Sequence, residues 1–148
     1  MKAVVQRVQR ASVTVGSEVT GEIGPGLVVL LGVFPDDDER IAVELAAKTA
    51  ALRIFPGSDK PMNASVLDTG GEALVVSQFT LAADTRRGNR PGFSTAAPPE
   101  LAEPLYERYV AALAETGVGV QTGWFGADMQ VSLVNDGPVT ILLERQNG

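Results

Sequence analysis

The sequence predicts an α+β fold, one domain over residues 1–148, with mostly antiparallel β-sheets and two main helices. Three observations lead there. Apolar and β-branched runs that read as strands cluster at both ends of the chain and recur once in its middle. Only two stretches, beginning near Asp37 and Pro98, carry apolar residues at helical spacing. Strands grouped around so few helices do not make the steady alternation of a parallel βαβ sheet.

The elements follow in order. "AVVQRVQRASVTV", residues 3–15, has the β-branched content of a strand, and its alternation slips at Gln9-Arg10, where a β-bulge fits. After a Gly16-Ser17 turn, "EVTGEI" is a second short strand. "GPGLVVLLGVF" opens on a Gly-Pro-Gly turn and continues as an unbroken apolar run, the pattern of a strand buried on both faces. From Asp37 to Leu52 the period changes: Ile41, Leu45, Thr49 and Leu52 recur at helical spacing, and Asp36 and Glu39 are spaced as a capping box. "RIFPG" reads as a short strand closed by a turn, and "SDKPMNASVLDTGGE" as a polar connection.

"EALVVSQFTLA" is the next strand, sending Leu74, Val76, Gln78 and Thr80 to one face and Val75, Ser77, Phe79 and Leu81 to the other. A second helix opens at Pro98-Pro99 and runs to about Glu115, with Leu101, Leu105, Tyr109 and Leu113 as a core-facing seam and Gly117 as its stop. Pro104 sits near its first turn. "VGVQTG", "MQVSLV" and "VTILLE" are the closing strands, and Asn135-Asp136-Gly137-Pro138 between the last two reads as a hairpin turn.

Composition restricts the chemistry. The chain has no His and no Cys, which excludes Ser-His-Asp triads, Cys-His dyads, and imidazole or thiolate metal sites. Asp36-Asp37-Asp38-Glu39 is the one acidic run, and its place before a helix makes it a cap favoured by the helix dipole rather than a metal site. No metal or other cofactor is expected. The net charge of −6 argues against broad coating of nucleic acid, but "TRRGNRPGFSTAAPP", residues 85–99, gathers Arg86, Arg87 and Arg90 with no acid. No apolar run is long enough to span a bilayer, and Lys2, Arg7 and Arg10 interrupt the N-terminal stretch in a way a signal peptide does not. A cytoplasmic protein is expected.

Three segments rise above scaffold. "SQFTL", Ser77 to Leu81, places two hydroxyls and an amide at a strand end; it can supply a nucleophile, an oxyanion donor or a plain polar terminus. "GWFGADMQV", residues 123–131, holds the only Trp and two close glycines, the pattern of a turn around a packed aromatic. "NDGPVT" needs no more than a hairpin, although its proline removes an amide donor where a strand should resume.

In register, "MKAVVQRVQRASVTV", "GEIGPGLVVLLGV", "MNASVLD", "LVVSQFTLAADTRRGNRPGF" and "FGADMQVSLVNDGPVT" cover residues 1–143. Together they resemble the D-aminoacyl-tRNA deacylase family of the Gly-cisPro type. The resemblance implies a barrel-like α/β domain and a homodimer with its sites at the interface. It implies hydrolysis of the ester between a D-amino acid, or mischarged glycine, and the 3′-terminal adenosine of tRNA, with L-aminoacyl-tRNA rejected. Ser77, Gln78, Phe79 and Thr80 then hold the adenosine and ester, Met129 walls the pocket, and Gly137 and Pro138 enter from the partner subunit to select chirality. Arg86, Arg87 and Arg90 are expected to make modest contacts to tRNA phosphates. A threonine nucleophile needs a base beside it, and the three segments offer no amine, so the substrate's own 2′-hydroxyl is the expected activator of water. Two competing readings are a noncatalytic nucleotide- or RNA-binding module, and a general esterase; the latter lacks both histidine and a Gly-x-Ser-x-Gly elbow.

Overall fold

The computed structural model describes residues 1–147 and is organised around one long strand, β1 (Lys2–Val15). The last residue of the expected domain, Gly148, lies outside the described residues. Along one edge β1 pairs antiparallel with β6 (Gln130–Glu144). The other edge is shared, antiparallel again, by β3 (Gly26–Gly32) beside its first half and β2 (Glu18–Ile23) beside its second. The sheet continues from β3 to β4 (Glu72–Ser77) and β5 (Gly119–Thr122), and these last two pairings are parallel. It then curls back on itself: the Thr20 hydroxyl on β2 donates to the Thr122 carbonyl at the end of β5, 3.3 Å away. The result is a nearly closed barrel.

The antiparallel expectation therefore holds for the pairings of β1 but not beyond β3. Parallel neighbours need a long crossover, and the two long helices are those crossovers. Helix α1 (Glu39–Ala51) lies between β3 and β4 in the chain, and α3 (Pro99–Glu115) between β4 and β5. Between them lies a single-turn helix, α2 (Val66–Thr69), within the segment read as a plain connection. It is held by a reciprocal cap in which Ser65 Oγ accepts from the Asp68 amide and Asp68 Oδ2 accepts from the Ser65 amide. "RIFPG" forms only an isolated bridge, Phe55 to Ala64.

Two apolar cores result. Val8, Ala11, Val13, Ile23, Val28, Leu74 and Val76 fill the barrel, while Ala3, Val5, Val29, Val75 and their neighbours pack against α1 and α3. β3 and β4 contribute alternate residues to each, as expected of strands buried on both faces. The seam of α3 is buried at Leu105, Tyr109 and Leu113, and the helix continues across Pro104. Where α3 crosses α1, the Tyr109 hydroxyl donates to Thr49 Oγ1 at 2.7 Å, and Thr49 donates in turn to the Leu45 carbonyl. Burial pushes the Tyr109 phenol far above its ordinary pKa, so it stays protonated.

The acidic run divides its roles differently from the expected capping box. Asp38, not Asp36, caps α1 by accepting from the Ile41 amide. Asp37 turns inward: Oδ1 lies 2.8 Å from the Met1 ammonium and Oδ2 accepts from the Phe34 amide. The larger correction concerns β6. Asn135-Asp136-Gly137-Pro138 is not a hairpin turn, because the chain does not reverse there. β6 runs along β1 both before and after the segment, pairing Asn135 with Val8 and Thr140 with Gln6. Four residues, 136–139, thus stand opposite Arg7 alone and bow out of the sheet. The slip near Gln9-Arg10 is present as a second irregularity, between Val8 and Arg10. Among the described residues no helix is long and apolar enough to cross a membrane.

Candidate active site

β4 ends sooner than its alternation suggested. Pairing with β3 stops at Ser77, the Gln78 amide makes a last bond to the Leu31 carbonyl, and Phe79–Ala82 winds into a 3-10 turn. The two-faced reading is borne out through Ser77 and fails for Gln78 to Leu81. A turn of this kind leaves its first amides without helical acceptors, and among the described residues those of Phe79 and Thr80 donate to no backbone carbonyl. Gln78 Nε2 donates to the Thr80 hydroxyl at 2.5 Å. That bond orients the hydroxyl and takes no proton from it, since a carboxamide nitrogen is a donor and not a base.

Ser77, Gln78 and Phe79 line one wall of a cleft of about 700 Å³, within the range of small-molecule sites. Phe125, Asp128 and Met129 line another, and Phe93 with Ala96 and Pro98 a third. Thr80 is exposed beside this cleft and is not among its lining residues. Met129 is seated by Gly123, because a Cβ at position 123 would stand 2.5 Å from the Met129 sulfur. Phe125 takes the packed place expected of Trp124, its ring 5.9 Å from that of Tyr106, whereas Trp124 is 46% exposed. Below the floor, the Tyr106 hydroxyl donates to the Val75 carbonyl at 3.0 Å, bracing β4 two residues before Ser77. Burial pushes this phenol up to about 12, so it donates across the physiological range.

Gly137 and Pro138, joined by a cis peptide bond, are exposed and do not line their own chain's cleft. Their bow is anchored from both ends. Arg7, its side chain only 12% exposed, donates through Nε to the Asp136 carbonyl (3.0 Å) and through a terminal nitrogen to the Ile54 carbonyl (2.7 Å), and Nε lies 3.2 Å from the Asp136 carboxylate. Asn135 Nδ2 donates to the carbonyls of Arg7 (2.9 Å) and Val139 (3.1 Å), cinching the base.

The basic stretch forms a finger clipped at its root by two backbone bonds between Asp84 and Gly92. Arg86 is not available in the way the sequence suggested. Its guanidinium binds both Asp84 oxygens, at 2.9 and 2.8 Å, and holds that carboxyl down to about 2. Arg87 and Arg90 are exposed and make no salt bridge among the described residues. Phe93 follows the root, edge-on to Phe79 with ring centroids 5.2 Å apart. Among the described residues no group of three or more His, Cys, Asp or Glu is placed to hold a metal ion.

The sequence reading passed over Phe93, Phe125, Arg7 and Asn135. Phe93, Phe125 and Asn135 lay inside stretches already singled out for other residues. Arg7 carried a signal of its own, a charge in the middle of a strand paired on both edges, where burial requires a partner.

Comparison with known proteins bears on this geometry. The model of the family described as D-Tyr-tRNA(Tyr) deacylase matches residues 4–144. The D-aminoacyl-tRNA deacylase of Dinoroseobacter shibae is 62% identical over 144 residues, covering 97% of this chain and 99% of that protein. That of Roseiflexus sp. (strain RS-1) is 63% identical, covering 97% and 93%. The solved structure of a c-Myc DNA Unwinding Element Binding Protein superposes with a TM-score of 0.92 at 45% identity, covering 99% of this chain and 100% of that one. A second structure, of a probable eukaryotic D-amino acid tRNA deacylase, gives 0.82 over 96% and 97% of the two chains at 16% identity, a likeness of fold.

Proposed function

The chain belongs to the D-Tyr-tRNA(Tyr) deacylase family, and from that premise we propose how its cleft carries out the reaction. It is an enzyme, a carboxylic ester hydrolase that releases the D-amino acid from D-aminoacyl-tRNA. The terminal adenosine and ester occupy the cleft along Ser77, Gln78 and Phe79, with Thr80 beside it and Met129 as the facing wall. The observation that carries this reading is the pair of unengaged amides at Phe79 and Thr80, beside a hydroxyl already oriented by Gln78. As water adds to the ester carbon, the carbonyl oxygen gains negative charge, and amides fixed before the reaction stabilise it without reorganising.

No base accompanies Thr80: its hydroxyl receives a bond from an amide, and Asp128 is the only titratable side chain lining the cleft. The vicinal 2′-hydroxyl of the terminal ribose takes the base's place, activating water held beside the ester. Thr80→Ala is expected to keep measurable turnover, while a 2′-deoxy-terminated D-tyrosyl-tRNA is expected to lose about 10²–10⁴-fold, the usual contribution of acid–base assistance. Near-complete loss with the variant and none with the deoxy substrate would restore a threonine nucleophile.

Chirality is read by the bow of β6. It stands away from its own cleft, exposed and pinned by Arg7 and Asn135, which supports its donation to the cleft of a second copy in a homodimer. Backbone at the α-carbon excludes the side chain of an L-residue without reading that of a D-residue, and glycine, having none, is hydrolysed as well. Arg87 and Arg90 meet tRNA phosphates, and the work is done in the cytoplasm, where tRNA is charged. A second reading, nucleic-acid binding without turnover, draws on the likeness to the 45%-identical DNA unwinding element binding protein. Release of free D-tyrosine at many equivalents per enzyme decides against it, and saturable binding with no release decides for it.

A further inference from the structure

A cleft of about 700 Å³ takes a ligand of aminoacyl-adenosine size, and the strand that carries the terminal adenosine leaves it across the rim. The rims differ in chemistry. One carries Asp128, exposed and anionic, which repels phosphate. The other carries Phe79 and Phe93, 59% and 40% exposed, the latter at the root of the Arg87/Arg90 finger. Residues 85–95 are exposed without a break, so this aromatic-and-cationic edge is open to solvent. Arg90 lies two residues before Gly92, no more than about 7 Å of backbone from the root. Aromatic faces beside cations are how proteins hold single-stranded nucleic acid without reading its sequence.

Arg86 has another part. Bound to both oxygens of Asp84, whose backbone closes the root with Gly92, it stiffens the finger and contributes little net charge. Phe93 is further fixed by the chain after it, where the Thr95 hydroxyl donates to the Ala82 carbonyl and the Ala96 amide to the Phe93 carbonyl. The ring is therefore presented, not trailing.

We propose that Phe93 and the Arg87/Arg90 tip form a second subsite, which stacks the base and contacts the phosphate of the nucleotide preceding the terminal adenosine in the tRNA's single-stranded 3′ end. The proposal rests on the hydrolase reading and adds a determinant outside the ester-binding groups. Phe93 is a positioning residue, acting on a part of the substrate remote from the bond that breaks.

The test compares two substrates on each protein: D-tyrosyl-tRNA and D-tyrosyl-adenosine, which lacks the preceding nucleotide. The readout is the ratio of kcat/KM on the first to that on the second. Phe93→Leu is expected to lower the ratio about tenfold, within the range of one base–aromatic stack, and Phe93→Tyr to restore it. With two phosphate contacts on a single strand, log(kcat/KM) for the tRNA substrate falls with log[salt] at a slope of about −1.4, and Arg87→Gln or Arg90→Gln each removes about 0.7 of it. If Phe93 merely props Phe79, both substrates suffer equally and the ratio stays put, which overturns the subsite. A wild-type ratio near one overturns it too. Wild-type protein that releases D-tyrosine from neither substrate overturns the hydrolase reading, and the subsite with it.

Discussion

Consider a single methyl group added to the bow of β6, by Gly137→Ala. A Cβ at position 137 would stand 2.6 Å from Asn135 Oδ1, too close for the two to coexist, and 3.4 Å from its Cγ. The amide group cannot swing away freely, because its nitrogen holds the Arg7 and Val139 carbonyls at 2.9 and 3.1 Å. Relief means giving up both bonds, at a net cost of about 0.5–1.5 kcal/mol each, so the variant should lose about 1–3 kcal/mol. With an unfolding entropy of about 2.1 cal/mol/K per residue over 148 residues, Tm falls by roughly 3–10 °C. The functional reading adds that a loosened bow discriminates less, so turnover of L-tyrosyl-tRNA rises relative to that of the D-substrate. The assay is a double-mutant cycle read by thermal unfolding and by the L-to-D turnover ratio, with Asn135→Ala as the second substitution. Once Asn135 is cut back the clash has no partner, and the double variant should be no less stable than Asn135→Ala alone. Additive losses would refute the steric account. An unchanged L-to-D ratio in a measurably destabilised Gly137→Ala would refute the role of the bow in selecting chirality.

Two other perturbations probe the frame. Asp37→Asn keeps the shape at the chain's start but leaves the Met1 ammonium, whose side chain is fully buried, without its counter-charge. Removing one partner of a buried pair costs about 3–5 kcal/mol, so thermal unfolding should move down by roughly 10–16 °C. The Asp84–Arg86 clip should be indifferent to mild acid. A carboxyl whose folded pKa is depressed stabilises fully above its ordinary value of 3.8, and that contribution fades as pH falls through about 2. Carboxyl NMR should place the Asp84 midpoint near that value, and a midpoint near 4 would mean the clip does not form in solution.

Much of this architecture was open to inspection in the chain itself, where a local pattern and its tertiary outcome coincide. The continuous run Leu27–Leu31 could be buried only on both faces, and the spacing of Leu105, Tyr109 and Leu113 could serve only a helix seam. What escaped was decided by partners remote in sequence. Asp136-Gly137 is turn chemistry by any local rule, yet β1 supplies pairing on both sides of it and carries the strand straight through. Val75 and Phe79 share one alternating run, but pairing with β3 ends at Ser77, and the chain then winds up into the turn that frees two amides. Arg86 was grouped with Arg87 and Arg90 by position, while its side chain had a carboxylate two residues back. Motif resemblance reached Ser77–Thr80, Met129 and Gly137-Pro138. Of the residues that hold these in place, Asn135, Tyr106 and Gly123 announce themselves only in three dimensions.

The bow also resets phase. Before it, the odd-numbered residues Met129, Val131 and Leu133 point into the barrel; after it, the odd-numbered Ile141 and Leu143 point to the helices, as Val139 at its end already does. A strand of period two cannot change its allegiance between two cores unless an odd number of surplus residues intervenes, and four residues facing one supply three. Deleting one of residues 136–139 would leave three to span from Asn135 to Thr140, so Ile141 opposite Val5 and Leu143 opposite Ala3 would keep their faces only if the shorter bow still bridged that gap. The dipeptide proposed as the chiral gate thus lies within the same four residues across which the C-terminal strand passes from one core to the other.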